Sequence, residues 1–148
     1  MKNKVFIGIP TAEFGRQAVF YDYVNNLDKP EGTIGASFHT NSGARNRNLI
    51  IKEALEQKCS HILFIDDDMA FPPNALMKLL AHDKDYVSGL FLKRVYPHLP
   101  IIFTQEDGKD VRRHLIDGES GLIEVAATGF GFTLVKTIVF SYLEEPFI

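Results

Sequence analysis

The segment His61-Ile62-Leu63-Phe64-Ile65, running without a break into Asp66-Asp67-Asp68, leaves this chain few ways to fold. The run is too short for a helix, and its apolar side chains alternate with nothing polar, so it reads as a strand buried on both faces. Such a strand needs cover on both sides, which is the α/β arrangement. Its carboxyl end carries three acids in a row, and in open α/β sheets that end is where ligands bind.

The rest of the chain supports that architecture by alternation. Val5 to Ile9 is a short β-rich run that stops at Pro10-Thr11, and about Arg16 to Leu27 reads as a helix, although Tyr21, Tyr23 and Val24 weaken it. Thr33 to Thr40 reads as a second strand with Ile34, Ala36 and Phe38 on one side. Ser42 suits the cap of a helix over Gly43 to Gln57, with Leu49, Ile50, Ala54 and Leu55 as its apolar positions. Pro72-Pro73 opens a helix from Asn74 to Ala81. Tyr86 to Gly89, Ile101 to Thr104, Leu122 to Ala126 and Gly131 to Val135 read as strands, with turns at Asp107-Gly108 and Asp117-Gly118 and a terminal helix over Lys136 to Leu143. Strand–helix alternation in the first half implies a mainly parallel sheet, and the β-rich second half makes it a mixed one.

Length and composition set the bounds. The 148 residues fit one domain able to bury a core without disulfides or a structural metal. A net charge of −3 provides no overall footprint for nucleic acid, and the pairs Lys93-Arg94 and Arg112-Arg113 read first as solvated surface. Cys59, the single cysteine, cannot form an internal disulfide and reads as a partly buried structural thiol in a reducing compartment. No apolar stretch approaches the roughly 18 to 20 residues that span a bilayer. Basic Met1-Lys2-Asn3-Lys4 precedes an apolar run too short for a signal peptide, so a cytoplasmic domain is expected.

Three adjacent carboxylates repel one another, and left uncompensated they raise their own pKa values and destabilise the fold. A hard cation removes that penalty, and Mg2+ or Mn2+ typically takes one or two carboxylates together with substrate phosphates. In an extended segment Asp66 and Asp68 share a side while Asp67 points away. The bland alternative is a solvated acidic loop in which Asp68 caps the following helix. A calcium loop fits less well, because the spaced ligands and central glycine of an EF-hand are missing.

Asp66-Asp67-Asp68 resembles the DxD motif of GT-A-fold glycosyltransferases, particularly the family 2 group of nucleotide-sugar transferases. The flanks resemble that family in order: Val5 to Thr11 its first strand and Pro turn, Gly43-Ala44-Arg45-Asn46 the helix opening before the DxD strand, and Thr128-Gly129-Phe130-Gly131-Phe132 with Leu134-Val135-Lys136 its acceptor-side segment. The resemblance spans about Val5 to Val139. It implies one GT-A-like nucleotide-sugar-binding domain over residues 1–148, a three-layer fold with a mainly parallel, mixed central sheet. It implies a metal-dependent glycosyltransferase that uses Mn2+ or Mg2+, takes a nucleotide-diphosphate sugar as donor and passes the sugar to an acceptor of unknown identity.

The same resemblance assigns residues. Pro10 and Thr11 line the base and ribose pocket, Arg45 lies near the nucleotide, Asp66 and Asp67 face ribose and metal, and Asp68 is the principal metal ligand beside Asp66. Gly129 and Gly131 fall on the acceptor side, where they either let backbone approach a sugar or mark a strand bulge. Asn46 and Asn48 read as local hydrogen bonders, and Lys93-Arg94 as a loop pair near the edge of the site.

Two departures stand out. Where the family commonly carries a base-reading acid, this chain has Phe38-His39-Thr40-Asn41, so His39 or Asn41 is left for that contact. The family's acidic catalytic pair is expected about where the chain reaches Glu144-Glu145-Pro146-Phe147-Ile148, whose setting does not match, so the domain reads as carboxyl-terminally truncated with its catalytic base unassigned. Two other functions follow as alternatives: a non-catalytic nucleotide-sugar or glycan-binding module, and a sugar-phosphate nucleotidyltransferase. The last is weakened because Pro10 to Arg16 holds a single glycine and one arginine.

Overall fold

The computed structural model describes residues 3–11, 18–115 and 119–148. In chain order the elements are β1 (Val5–Thr11), α1 (Ala18–Asn25), β2 (Ile34–His39), α2 (Gly43–Glu56), β3 (His61–Ile65), α3 (Ala75–Ala81), β4 (Tyr86–Ser88), β5 (Ile102–Glu106), β6 (Lys109–Arg112), β7 (Ala127–Thr128), β8 (Phe132–Lys136) and a closing 3-10 helix, Thr137–Tyr142. Five strands form the main sheet in the order β2-β1-β3-β8-β4. β1 runs parallel to β2 and β3, while β8 is antiparallel to both β3 and β4. The sheet is therefore mixed, with β8 alone running against the other four strands. A small antiparallel sheet, β6-β5-β7, stands beside it.

Alternation along the strands builds two cores. Val5, Ile7, Ile9, Leu63 and Ile65 pack on one face with Phe20 of α1 and Leu76 and Leu79 of α3. Phe6, Ile62 and Phe64 pack on the other with Ile50, Ile51 and Ala54 of α2 and with Phe140. β1 and β3 are covered on both sides, as their continuous apolar runs require. Gly8 makes the closest approach possible: a Cβ there would lie 2.2 Å from Ile50 Cγ2, so α2 rests directly on the β1 backbone.

Several expectations are corrected. α2 buries Asn46, Ile50, Ile51 and Ala54, whereas Leu49 and Leu55 are exposed, so its buried face is rotated from the one the sequence suggested. Leu122 to Ala126 is not a strand: its exposure alternates as a strand's would, but among the described residues it joins no ladder, and only the Ala126 amide donates to the Phe103 carbonyl. The terminal helix is a 3-10 helix, in keeping with its β-branched start Thr137-Ile138-Val139. The Asp107-Gly108 turn joins β5 to β6 with φ of 50° and 74°, a conformation that Asp and Gly tolerate. The expected Asp117-Gly118 turn and the Ala12 to Arg16 stretch lie outside the described residues. Cys59 is a free, buried thiol. Among the described residues no helix is long and apolar enough to cross a membrane.

Candidate functional site

The carboxyl ends of β1, β2, β3 and β4 share one edge of the sheet. From β1 the chain leads to β2 on one side, and from β3 it leads to β4 on the other, so a crevice opens between these neighbours. Pairing of β1 with β3 ends at Gly8↔Phe64, while pairing with β2 continues to Thr11↔His39. Pro10 brings no N–H to any ladder, which suits a strand parting from one neighbour. Thr11 is buried, and its hydroxyl donates to the Phe38 carbonyl at 2.9 Å. Pro10 and Thr11 thus stand at the crevice, and the exposed His39 and Asn41 lie on the same edge at the end of β2.

Across the crevice the β3 strand stops at Ile65. Asp66 to Met69 is a turn closed by the Met69 amide on the Asp66 carbonyl at 3.2 Å. The expectation of an extended triplet with Asp66 and Asp68 on one side is therefore corrected: strand alternation ends before Asp67. The Asp66 amide donates to the Gly131 carbonyl at 2.9 Å, which ties the turn to the approach of β8. Burial pushes the Asp66 carboxyl above the ordinary carboxylate range, Arg47 opposes that shift, and Asp68 and Asp67 add to it.

α2 supplies the third wall. Ser42 caps it by accepting from the Arg45 amide at 3.3 Å. Asn46, buried in the first turn, donates to the Thr11 carbonyl at 3.2 Å and locks the helix to the end of β1. Arg45 is exposed, and the α2 arginine that reaches the acids is Arg47, which donates to Asp66 Oδ1 at 2.7 Å. Its guanidinium lies 5.3 Å from the centroid of Phe130, and a Cβ on Gly43 would come 3.2 Å from its Nη1. Arg47 stands at i, i+3, i+4 and i+7 spacing with Ile50, Ile51 and Ala54. A charged residue in that stripe is the signal that would have found it.

Arg94, on the loop after β4, forms an ion pair with Asp68 and so stands beside the acidic turn. Arg112 and Arg113 are not a basic patch: Arg112 donates to the Pro100 carbonyl at 2.7 Å, and Arg113 pairs with Glu119. At Gly129 a Cβ would lie 2.7 Å from Phe91 Cζ, and at Gly131 3.0 Å from Met69 Sδ. The room these glycines leave is filled by the protein's own side chains. Glu145 pairs with Lys52 in the second half of α2, and Asn48 holds the tail by accepting from the Phe147 amide at 2.7 Å. A cavity of about 1060 Å3 lies elsewhere, between β4 and residues 119–128, and none of the three acids lines it.

These contacts define what kind of metal the residues fit. Asp66 and Asp68 are each compensated by a guanidinium, and among the described residues no group of three or more His, Cys, Asp or Glu could hold an ion. An ion bound at this turn would have to draw most of its ligands from outside the protein, since Asp66 is committed to Arg47 and Asp68 is half-exposed and paired with Arg94.

No protein-family model matches the chain, and no curated protein does. Among solved structures it is similar to A197 from STIV, with a TM-score of 0.65 at 19% identity over 97% of this chain and 70% of that one. At that identity the likeness speaks for the fold alone. It covers nearly the whole of this chain, so the overall architecture is one that the two proteins share.

Proposed function

We propose that this chain is a metal-dependent glycosyltransferase domain of GT-A type, which binds a nucleotide-diphosphate sugar and transfers the sugar to an acceptor hydroxyl. The observation that carries the reading is the convergence on one crevice of the end of β1, the opening turns of α2 and the Asp66–Asp68 turn. Those are the segments that resemble the family, brought together from three separate stretches of sequence. The lone buried Cys59 and the absence of a spanning helix among the described residues are in keeping with a cytoplasmic setting.

Each wall has a task in this reading. Pro10 and Thr11 border the nucleoside, the α2 amino terminus favours negative charge, and Arg47 holds Asp66 in one orientation. Asp68 offers its carboxylate to the ion. When bound with the diphosphate, Mn2+ or Mg2+ stabilises the negative charge that develops on the leaving nucleotide. Isothermal titration with UDP and GDP, with and without Mn2+, tests this. Metal-dependent binding lost at least tenfold in Asp68→Ala is expected, and binding indifferent to metal or to that substitution removes the metal role.

One observation favours a binding module without turnover. Glu145, from the segment where the family's acidic pair is expected, is engaged by Lys52 on α2 and not by the crevice residues. Transfer or hydrolysis of a labelled donor by this chain separates the two readings, since only the transferase releases nucleoside diphosphate.

A further inference from the structure

We propose that the cavity between β4 and residues 119–128 is a docking slot for an extended segment of another polypeptide, which adds to the main sheet as a strand beside β4. The inference goes beyond the nucleotide-sugar reading and does not depend on it, since none of the three acids lines this cavity.

The backbone defines the slot. β4 ends the main sheet and β7 ends the small one, and residues of both line the cavity, so two sheet edges border the same space. In an antiparallel ladder, residues that bond the partner strand alternate with residues whose N–H and C=O point away from it. The Asp85 carbonyl accepts from the Lys136 amide and the Gly89 amide donates to the Phe132 carbonyl, both at 2.9 Å. Asp85, Val87 and Gly89 therefore serve β8, and Tyr86 and Ser88 turn their backbone groups to the outer edge. On the small sheet the Gly129 amide donates to the Ile101 carbonyl at 3.3 Å, so Thr128, the next residue in, turns its backbone groups away from β5. Among the described residues no backbone hydrogen bond meets these outward groups of Tyr86, Ser88 and Thr128. A short edge alone is a common protective device. One that faces a second edge across a cavity offers an extended chain main-chain partners, which is how peptides add to sheets.

The side chains agree with a peptide occupant. Leu90 and Leu122 are 54% and 49% exposed in the cavity wall, with Tyr86 and Leu115 exposed beside them, so apolar surface is held open along the slot. It suits a segment with apolar residues at alternate positions. The volume of about 1060 Å3 lies at the top of the range of small-molecule pockets, roughly 300–1,000 Å3, and leaves room for several residues of chain. Charge gives the segment a polarity. Lys84 stands in the wall just before β4 and forms no ion pair among the described residues, while Asp83 and Asp85 on either side of it are held by Lys136. An acidic side chain at that end of the bound segment complements Lys84.

The probe is a displayed library of random peptides of about ten residues, the upper end of ordinary strand length. It is selected on the wild-type chain, and a recovered peptide is synthesised and titrated by fluorescence anisotropy. N-methylation of that peptide at alternate residues is expected to weaken binding about tenfold or more in at least one of the two phases, because strand addition needs its amides. Proline is tolerated at the first residue of an edge strand, so Tyr86→Pro deletes one outward donor, and Tyr86→Val keeps it. The proline variant should bind about fivefold more weakly than the valine variant. Lys84→Glu should weaken an acid-bearing peptide about threefold, and circular dichroism checks each fold. If Tyr86→Pro does not fold, the N-methyl series decides alone. The proposal is overturned if no peptide is recovered on wild type, or if the recovered one binds equally well after N-methylation in either phase. Sedimentation showing that wild type self-associates and Tyr86→Pro does not would assign the edge to a second copy, and would overturn it too.

Discussion

At the scale of single residues, the molecule pairs several of its charges with opposite ones and favours neutrality at the buried His61. Asp66 has Arg47, Asp68 has Arg94, and Lys136 is shared between Asp83 and Asp85 at 3.0 and 3.1 Å. His61, at the start of β3, takes the other course. Burial pushes its pKa below the ordinary histidine value, nearby Lys136 pushes the same way, and Asp83 opposes them. The unfolded chain then takes up the proton first, near pH ~6.5, so stability that is complete above this value is lost as pH falls through it toward the lower folded value. The His61→Gln protein is expected to lose less stability than wild type between about pH 7.5 and about pH 5. Urea unfolding across that range measures it, and parallel curves for the two proteins would show that His61 contributes nothing to acid sensitivity.

At the scale of elements, α2 is the part that organises the site, and its seat on β1 is tight. A methyl group added at Gly8 would collide with Ile50, whose Cγ2, Cγ1 and Cδ1 would lie 2.2, 2.9 and 3.0 Å away. Gly8→Ala is expected to destabilise by about 1–3 kcal/mol through overpacking, and Ile50→Ala by about 2–5 kcal/mol through the cavity it leaves. The double variant should be more stable than the sum of the two losses, since the new methyl occupies vacated room. Strictly additive losses in denaturant titrations would mean that the helix shifts instead of holding its place. The same helix shows what was legible in the sequence. Its start at Ser42 and its span followed from capping and length, and β1, β2 and β3 followed from short runs of apolar residues bounded by turn signals. Its face did not: taking Leu49 and Leu55 in place of Ile51 rotated the apolar stripe and hid Arg47. That choice depends on which side the sheet lies, which is not local information. The same holds for β8, whose insertion between β3 and β4 is a pairing across nearly seventy residues, and for Arg94, whose partner Asp68 is set by how a loop returns. The acids stood out as a candidate site because a charge run at the end of a buried strand is costly unless it is compensated. Their turn was not, because strand alternation offers no warning of where it ceases.

At the scale of the whole molecule, the function proposed above requires metal and nucleotide to act as one ligand. The described residues offer an ion a half-exposed Asp68 carboxylate and an Asp66 carboxylate committed to Arg47, too little to cage it without phosphate. In that reading a nucleoside diphosphate without metal brings its negative charge to a turn of three aspartates, two of which already occupy the nearby arginines. Each ligand supplies what the other lacks, so their binding should be strongly coupled, and by linkage each must raise the affinity of the other by the same factor. Ligand at a hundredfold excess over its Kd stabilises a folded protein by about 2.7 kcal/mol, which for a chain of 148 residues is roughly 5–11 °C in Tm. Thermal unfolding with UDP or GDP alone, and with Mn2+ alone, is therefore expected to move Tm little, whereas the pair together moves it by most of that range. The coupling should weaken in Asp68→Ala, which removes the shared ligand, and persist in His61→Gln, which lies at the other end of β3. Shifts that merely add would mean that ion and nucleotide sit apart, and the crevice between β1 and β3 would then hold one of them without the other.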